Sequence, residues 1–177
     1  MLCGIDEAGR GCIAGPLVVA GVVLGESIDG LNDSKQLSEK KRETLFEIIK
    51  QKARYKIVFC DNDMIDDKGL SHCLGYSIKI IKEHFSDCDI LMDGNCSFGV
   101  EGIKTMVKAD AKVFEVSAAS ILAKVSRDRY MYSISKDFSQ YSFPKHKGYG
   151  TALHVKEISE FGYSEIHRKS FKIKSLC

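Results

Sequence analysis

Leu17 to Leu24 is an unbroken run of apolar residues and glycine, with valine at four of its eight positions. Continuous β-branched runs of this kind belong to strands buried within a sheet. Gly15-Pro16 stands immediately before the run and marks where the strand begins. Leu2–Ile5 reads as a second buried strand and Tyr55–Cys60 as a third, with Ile90–Met92 and Thr105–Val107 as two shorter ones. Helical signals fill the intervals. Ser38 is placed to cap a helix running to about Lys52, with Leu45, Ile48 and Ile49 facing inward. Leu70, Leu74, Ile78, Ile81 and Phe85 recur at helical spacing and predict a helix after Gly69. From about Ser117 to Asp137 the pattern is helical, with Ala118, Ile121, Leu122, Val125 and Tyr132 as the apolar face. Thr151 can cap a last helix that buries Val155, Ile158 and Phe161 and stops at Gly162. Strands come early and helices late, with crossover helices between. The pattern predicts an α/β fold on a mixed β-sheet flanked by helices, with a small helical part over about 139–177.

At 177 residues the chain is long enough for one domain with a sizeable core, and it contains no repeat, low-complexity tract or linker. No apolar run approaches a membrane span, and residues 1–24 lack the features of a signal peptide. Seven cysteines, at 3, 12, 60, 73, 88, 96 and 177, are odd in number and make no Cys-x-x-Cys pair. They read as reduced thiols, mostly small core hydrophobes, in a cytoplasmic protein. Charge is distributed unevenly. Residues 1–100 carry 12 Lys/Arg against 16 Asp/Glu, and residues 101–177 carry 14 against 8. A basic C-terminal portion beside an acidic centre suits a polyanionic partner.

The acidic centre is foreshadowed by Asp6-Glu7-Ala8-Gly9-Arg10-Gly11. Adjacent carboxylates repel unless a proton or cation lies between them, and hard divalent ions are the usual cation for oxygen ligands. Gly9 and Gly11 allow close approach of the main chain to a ligand, with the fixed charge of Arg10 between them. Asp93 directly follows the Ile90–Met92 strand, and Asp110 comes shortly after Thr105–Val107. Ligands of open α/β sheets bind outside the carboxyl ends of strands. Four carboxylates converging there suit Mg²⁺ or Mn²⁺, and a pair of such ions roughly 3.5–4 Å apart can activate water and stabilise a leaving oxygen at a phosphodiester. Neighbours on a regular strand point to opposite faces, so Asp6 and Glu7 share a site only where the strand ends or bulges.

The motifs together resemble a known family. Asp6-Glu7-Ala8-Gly9-Arg10-Gly11, Ala14-Gly15-Pro16, Ser34-Lys35-Gln36-Leu37-Ser38 and Met92-Asp93-Gly94 are followed by Ala118–Val125, Arg127-Asp128-Arg129, His146–Thr151 and His167-Arg168. This set closely resembles the type 2 ribonucleases H of bacteria, ribonuclease HII, over nearly the whole chain. The resemblance implies a single ribonuclease H-like catalytic domain over 1–177. It implies endonucleolytic cleavage of RNA in RNA–DNA hybrids and incision 5′ of single ribonucleotides embedded in duplex DNA, leaving 3′-hydroxyl and 5′-phosphate ends. It further implies that Asp6, Glu7, Asp93 and Asp110 hold two Mg²⁺ or Mn²⁺ ions, and that Gly9, Arg10, Gly11 and Tyr149 read the ribose 2′-hydroxyl. That hydroxyl, a donor and an acceptor, is the one mark of a ribonucleotide inside DNA. The expected partners are an RNA–DNA hybrid and a DNA duplex containing ribonucleotides, met by a monomer with no membrane and no protein partner legible in the chain. Two departures from the family pattern stand out. Ala109 occupies a position where glycine is usual before the fourth carboxylate, and Cys12 replaces a more usual proline.

A polar stripe on the long helix, Ser117, Ser120, Lys124 and Arg127, is expected to face the active site and the phosphate backbone, Lys124 foremost. Lys145, Lys147, Arg168 and Lys169 are expected to contact flanking phosphates. Two alternatives remain open at this level. His146, His154 and His167 could serve as acid and base in a metal-free ribonuclease that uses the substrate's own 2′-hydroxyl, or as structural hydrogen-bonders. The chain could also be a non-catalytic binder of hybrids whose acids hold a structural ion. His72 and His84 are expected at the surface or edge of the middle helix.

Overall fold

The computed structural model describes residues 1–31 and 37–173. Five strands, β1 (Leu2–Ala8), β2 (Leu17–Leu24), β3 (Ala53–Cys60), β4 (Asp89–Asp93) and β5 (Ile103–Met106), form one sheet in the order β3-β2-β1-β4-β5. The β1–β2 and β2–β3 pairs are antiparallel, whereas β1–β4 and β4–β5 are parallel. Among the described residues six helices cover the sheet and extend it: α1 (Glu39–Lys52), α2 (Asn62–Lys68), α3 (Leu70–His84), α4 (Phe114–Ile134), α5 (Phe143–His146) and α6 (Ala152–Phe161). The architecture is the mixed-sheet α/β fold expected from the strand and helix pattern. Ser34–Gln36 of the motif at 34–38, together with Cys177, lie outside the described residues.

Alternation along β2 explains the two-sided core. Val18, Ala20 and Val22 pack with α1 and α4, while Leu17, Val19 and Val23 pack with α3. Burial of both faces is what an unbroken apolar strand requires. β1 sits in the middle of the sheet, and α4 presses directly onto it. A Cβ at Gly4 would lie 2.3 Å from the Val116 amide nitrogen, so glycine is what admits the helix. Ala118, Ala119 and Ala123 continue this close contact along α4.

The caps behave as their residue types dictate. Ser38 accepts from the Lys41 amide, and Thr151 accepts from the His154 amide. Gly69, at φ +84°, divides α2 from α3. Several boundaries differ from expectation. β1 runs on through Asp6, Glu7 and Ala8, because β2 pairs with it as far as Ala8↔Val18. β5 is Ile103–Met106 rather than Thr105–Val107, α2 is an additional short helix, and α4 begins at Phe114 rather than Ser117. Tyr132 and Phe161, expected in the core, are exposed, and Val155 is half-buried. Cys3, Cys12, Cys60 and Cys73 are buried free thiols, as expected of small core residues, while Cys96 is exposed. Among the described residues no helix is long and apolar enough to cross a membrane.

Candidate active site

Along β1 the even residues Gly4, Asp6 and Ala8 face α4, and the odd residues Cys3 and Ile5 face α3, with Glu7 on their side by alternation. Asp6 bonds to Ser120 of α4 on one side, and Glu7 pairs with Arg10 at 3.6 Å on the other. Both nevertheless line one cavity of about 340 Å³, with Gly9, Arg10, Asp93 and Tyr149 among its other walls. The reason lies in strand length. The last β1–β4 pair is Ile5↔Met92, so β1 outruns β4 and the two faces of the sheet open into the same space. The strand neither ends nor bulges at Asp6; its parallel neighbour ends instead. A larger cavity of about 620 Å³ along α3 is lined by none of the four carboxylates.

Like charges crowd this opening. Burial, then the repulsion of Glu7 and Asp93, pushes the Asp6 carboxyl up to about 8. Burial also raises Glu7, against the pull of Arg10. One Glu7 oxygen, Oε2, is buried without any hydrogen-bond partner. Carboxyl groups lining one cavity, with one Glu7 oxygen unsatisfied, fit a hard divalent cation that would take the place of the Asp6 proton. Among the described residues no group of three or more acidic, histidine or cysteine side chains is already arranged to hold an ion. Asp93 accepts from the Ala109 amide at 2.6 Å. Asp110 follows on the same 3₁₀ turn, Ala109–Ala111; it is buried and is not among the residues that line the cavity. The left-handed residue of this turn is Lys108, at φ +57°, not Ala109. Alanine therefore meets no conformational penalty where the family commonly has glycine.

The opposite wall is the Gly9–Gly11 turn and Tyr149, joined by a β-bridge between Cys12 and Tyr149. Cys12 donates its amide to Gly9 O at 3.3 Å, a bond no proline could make. Arg10 is exposed, with its guanidinium 5.4 Å from the centroid of the Phe98 ring. Lys124 lines the cavity as expected, held 2.7 Å from Asp128 and 5.6 Å from the centroid of the Tyr149 ring. Ser120 lines it too, and Ser117 is buried behind.

Arg127 departs from expectation. It is fully buried and touches no phosphate-accessible surface; its guanidinium donates to Pro16 O, Lys147 O and Ala14 O at 2.9, 2.7 and 2.9 Å. It ties the loop after Gly9–Gly11 to the segment before Tyr149. Arg168 is likewise buried, donating to Gly15 O and Arg10 O. Lys147 is buried with its ammonium 3.1 Å from the centroid of the Tyr132 ring. Neither of these can be the exposed phosphate contact predicted for it, whereas Lys145 and Lys169 are exposed. His146, His154 and His167 are buried and bonded to one another's surroundings, which removes them from direct contact with a substrate. His72 and His84 are exposed, as expected. Arg42 of α1 also lines the cavity, and sequence reasoning does not single it out. Its signal is faint, one of three adjacent cations, Lys40, Lys41 and Arg42, in the first turn of a helix rich in charge.

An acidic opening at the carboxyl ends of β1 and β4, on a mixed sheet backed by helices, defines the class: a ribonuclease H-like α/β nuclease. Comparison with known proteins narrows this. The sequence profile of the family described as Ribonuclease HII matches residues 3–174. The ribonuclease HII of Aliarcobacter butzleri (strain RM4018) is 60% identical over 177 residues, covering 99% of this chain and 92% of that one. That of Campylobacter concisus (strain 13826) is 56% identical over 173 residues, covering 98% and 94%. Among solved structures, the Archaeoglobus fulgidus ribonuclease HII in its complex with PCNA superposes with a TM-score of 0.82 at 27% identity, covering 98% of this chain and 96% of that one. Bst-RNase HIII in complex with Mn²⁺ shares the fold, with a TM-score of 0.71 at 18% identity over 96% of this chain and 66% of that one. The chain belongs to the ribonuclease HII family. It is a metal-dependent endoribonuclease with ribonuclease H activity on RNA–DNA hybrids.

Proposed function

We propose that this enzyme also incises duplex DNA 5′ of single embedded ribonucleotides, and that Asp6, Glu7, Asp93 and Asp110 hold two Mg²⁺ or Mn²⁺ ions for the reaction. The observation that carries the proposal is the crowding of Asp6, Glu7 and Asp93, with Glu7 Oε2 buried and unpartnered, opposite a glycine-flanked arginine and a half-exposed tyrosine. Bound ions of this kind supply an activated water and neutralise charge on the phosphate and leaving oxygen. The protein's own residues do the rest. The main chain at Gly9–Gly11 and the Tyr149 ring flank the sugar, where the 2′-hydroxyl distinguishes ribose from deoxyribose. Lys124 and Arg42 supply positive charge to the strand that enters the cavity. The hydrogen bond from the Ala109 amide to Asp93 couples the third carboxylate to the turn that carries Asp110.

End-group analysis on a duplex with one ribonucleotide tests the chemistry: a 3′-hydroxyl upstream and a 5′-phosphate on the ribonucleotide are expected. A cyclic 2′,3′-phosphate, or full activity in EDTA, would overturn it. Asp93→Asn should abolish cleavage and leave hybrid binding largely intact; an unchanged rate would remove Asp93 from the catalytic set. Tyr149→Ala should weaken discrimination between ribose and deoxyribose at the cleaved position.

A further inference from the structure

We infer that His154 is a positioning residue for substrate recognition, holding Tyr149 through a one-way chain of imidazoles whose protons are all assigned by the backbone. The inference rests on the reading of Tyr149 as the residue that faces the ribose. His154 Nδ1 lies 2.9 Å from Tyr149 O, and its Nε2 lies 3.0 Å from His167 Nε2. The Ser164 amide points at His167 Nδ1 at 2.9 Å. An amide N–H only donates, so His167 Nδ1 accepts and carries no proton. The His167 proton is then on Nε2 and is given to His154 Nε2. The His154 proton is left on Nδ1, where it is given to Tyr149 O.

A second branch obeys the same logic. The Gly148 amide donates to His146 Nδ1 at 3.2 Å, which places the His146 proton on Nε2, 2.9 Å from Glu157 Oε2. His146 and His154 stack with ring centroids 3.9 Å apart and planes at 15°. Two stacked neutral rings thus grip the residues on either side of one peptide bond, the Gly148 N–H and the Tyr149 C=O. Gly148 itself cannot yield, because a Cβ there would lie 2.4 Å from Ala14 O. With its carbonyl bonded and its neighbour pinned, Tyr149 presents its ring to the cavity from a fixed backbone.

Nitrogen-15 NMR of the imidazoles at neutral pH reads the assignment directly: His154 protonated at Nδ1, His146 and His167 at Nε2. A His154 proton on Nε2 would overturn the inference. Kinetics supply the functional arm. His154→Phe keeps the stacked ring and loses the donor, and should raise KM for a duplex with a single ribonucleotide about fivefold to tenfold while kcat changes less than about twofold. His154→Asn, whose amide nitrogen occupies the Nδ1 position, should restore KM to within about threefold of wild type. Each variant is assayed well below its own unfolding midpoint. If His154→Phe does not fold, His154→Gln, whose amide reaches the Nε2 side and leaves Tyr149 O without its donor, takes its place. An unchanged KM in the donorless variant, beside a raised KM in Tyr149→Ala, would sink the inference alone. An unchanged KM in Tyr149→Ala would instead sink the reading of Tyr149, with the NMR assignment still standing.

Discussion

The carboxylate cavity and the histidine cluster meet at Tyr149, yet they follow opposite electrostatic plans. On the cavity side, Asp6 is held up to about 8 and Glu7 Oε2 has no partner. On the cluster side, each of the three rings has both nitrogens engaged, and the two buried arginines nearby spend their charge on main-chain carbonyls. On the reading proposed above, the first region is completed by cations and a nucleic acid. The second has its imidazole nitrogens matched and serves as the frame, with Arg168 Nη2 and Lys147 Nζ as buried exceptions that lie near the Phe171 and Tyr132 rings. The two regions differ in charge more than in pairing: carboxylates crowd one another in the first, while in the second buried cations meet main-chain carbonyls and aromatic rings.

Neutralising charge should therefore act in opposite directions in the two regions. Asp6→Asn should lower cleavage by about a thousandfold or more and raise the unfolding midpoint measured in EDTA, because it removes a carboxyl disfavoured first by burial and then by Glu7 and Asp93. A lower midpoint would break the contrast. Arg127→Met should do the reverse, costing about 3 kcal/mol or more in urea denaturation by stranding three buried carbonyls. Lys124→Met, on the cavity wall, should cost less than about 1 kcal/mol.

Acidity sharpens the same contrast. Burial holds His154 and His167 down at about 4, whereas the unfolded chain takes up these protons near the ordinary 6.5. Their contribution is complete above 6.5 and drains as the pH falls towards 4, by about 1.4 kcal/mol per proton per pH unit at its steepest. Glu157, lowered by its bonds to Ser142 and His146 against the cost of burial, adds to this acid limb. Asp6 works the other way. Its carboxyl is raised from 3.8 to about 8, so the ion-free protein loses stability as the pH rises across that interval. Denaturation curves over a pH series should therefore fall at both ends in EDTA, and Mg²⁺ should lift the alkaline limb alone.

The smallest effect separates two glycines of one turn. Gly9, at φ +92° and with a would-be Cβ 2.2 Å from Arg127 Nε, should lose about 2 kcal/mol on replacement by alanine. Gly11 has nothing within 4 Å and should change by less than about 0.5 kcal/mol. Equal losses at both positions would mean that Arg127 does not constrain the turn.

Local periodicity makes α1, α3 and α6 legible, because their caps and apolar spacing are properties of adjacent residues. The acids are legible as chemistry, since adjacent carboxylates beside Gly-Arg-Gly concentrate a repulsion that a bound cation relieves. What stays hidden is long-range. Arg127 and Arg168 read as phosphate contacts, because nothing local reveals that their acceptors are carbonyls 111, 113 and 153 positions away. The sharing of one cavity by Asp6 and Glu7 is equally invisible, for it depends on where β4 stops rather than on β1.

The placement of Asp6 and Glu7 on the third of five strands has a consequence for how this enzyme fails. Terminal strands and loops open readily, while a middle strand is released only when the whole sheet comes apart. On heating, Asp6 and Glu7 should therefore hold their places until the cooperative transition, while Asp110, on the turn after the edge strand β5, is the carboxylate placed to leave first.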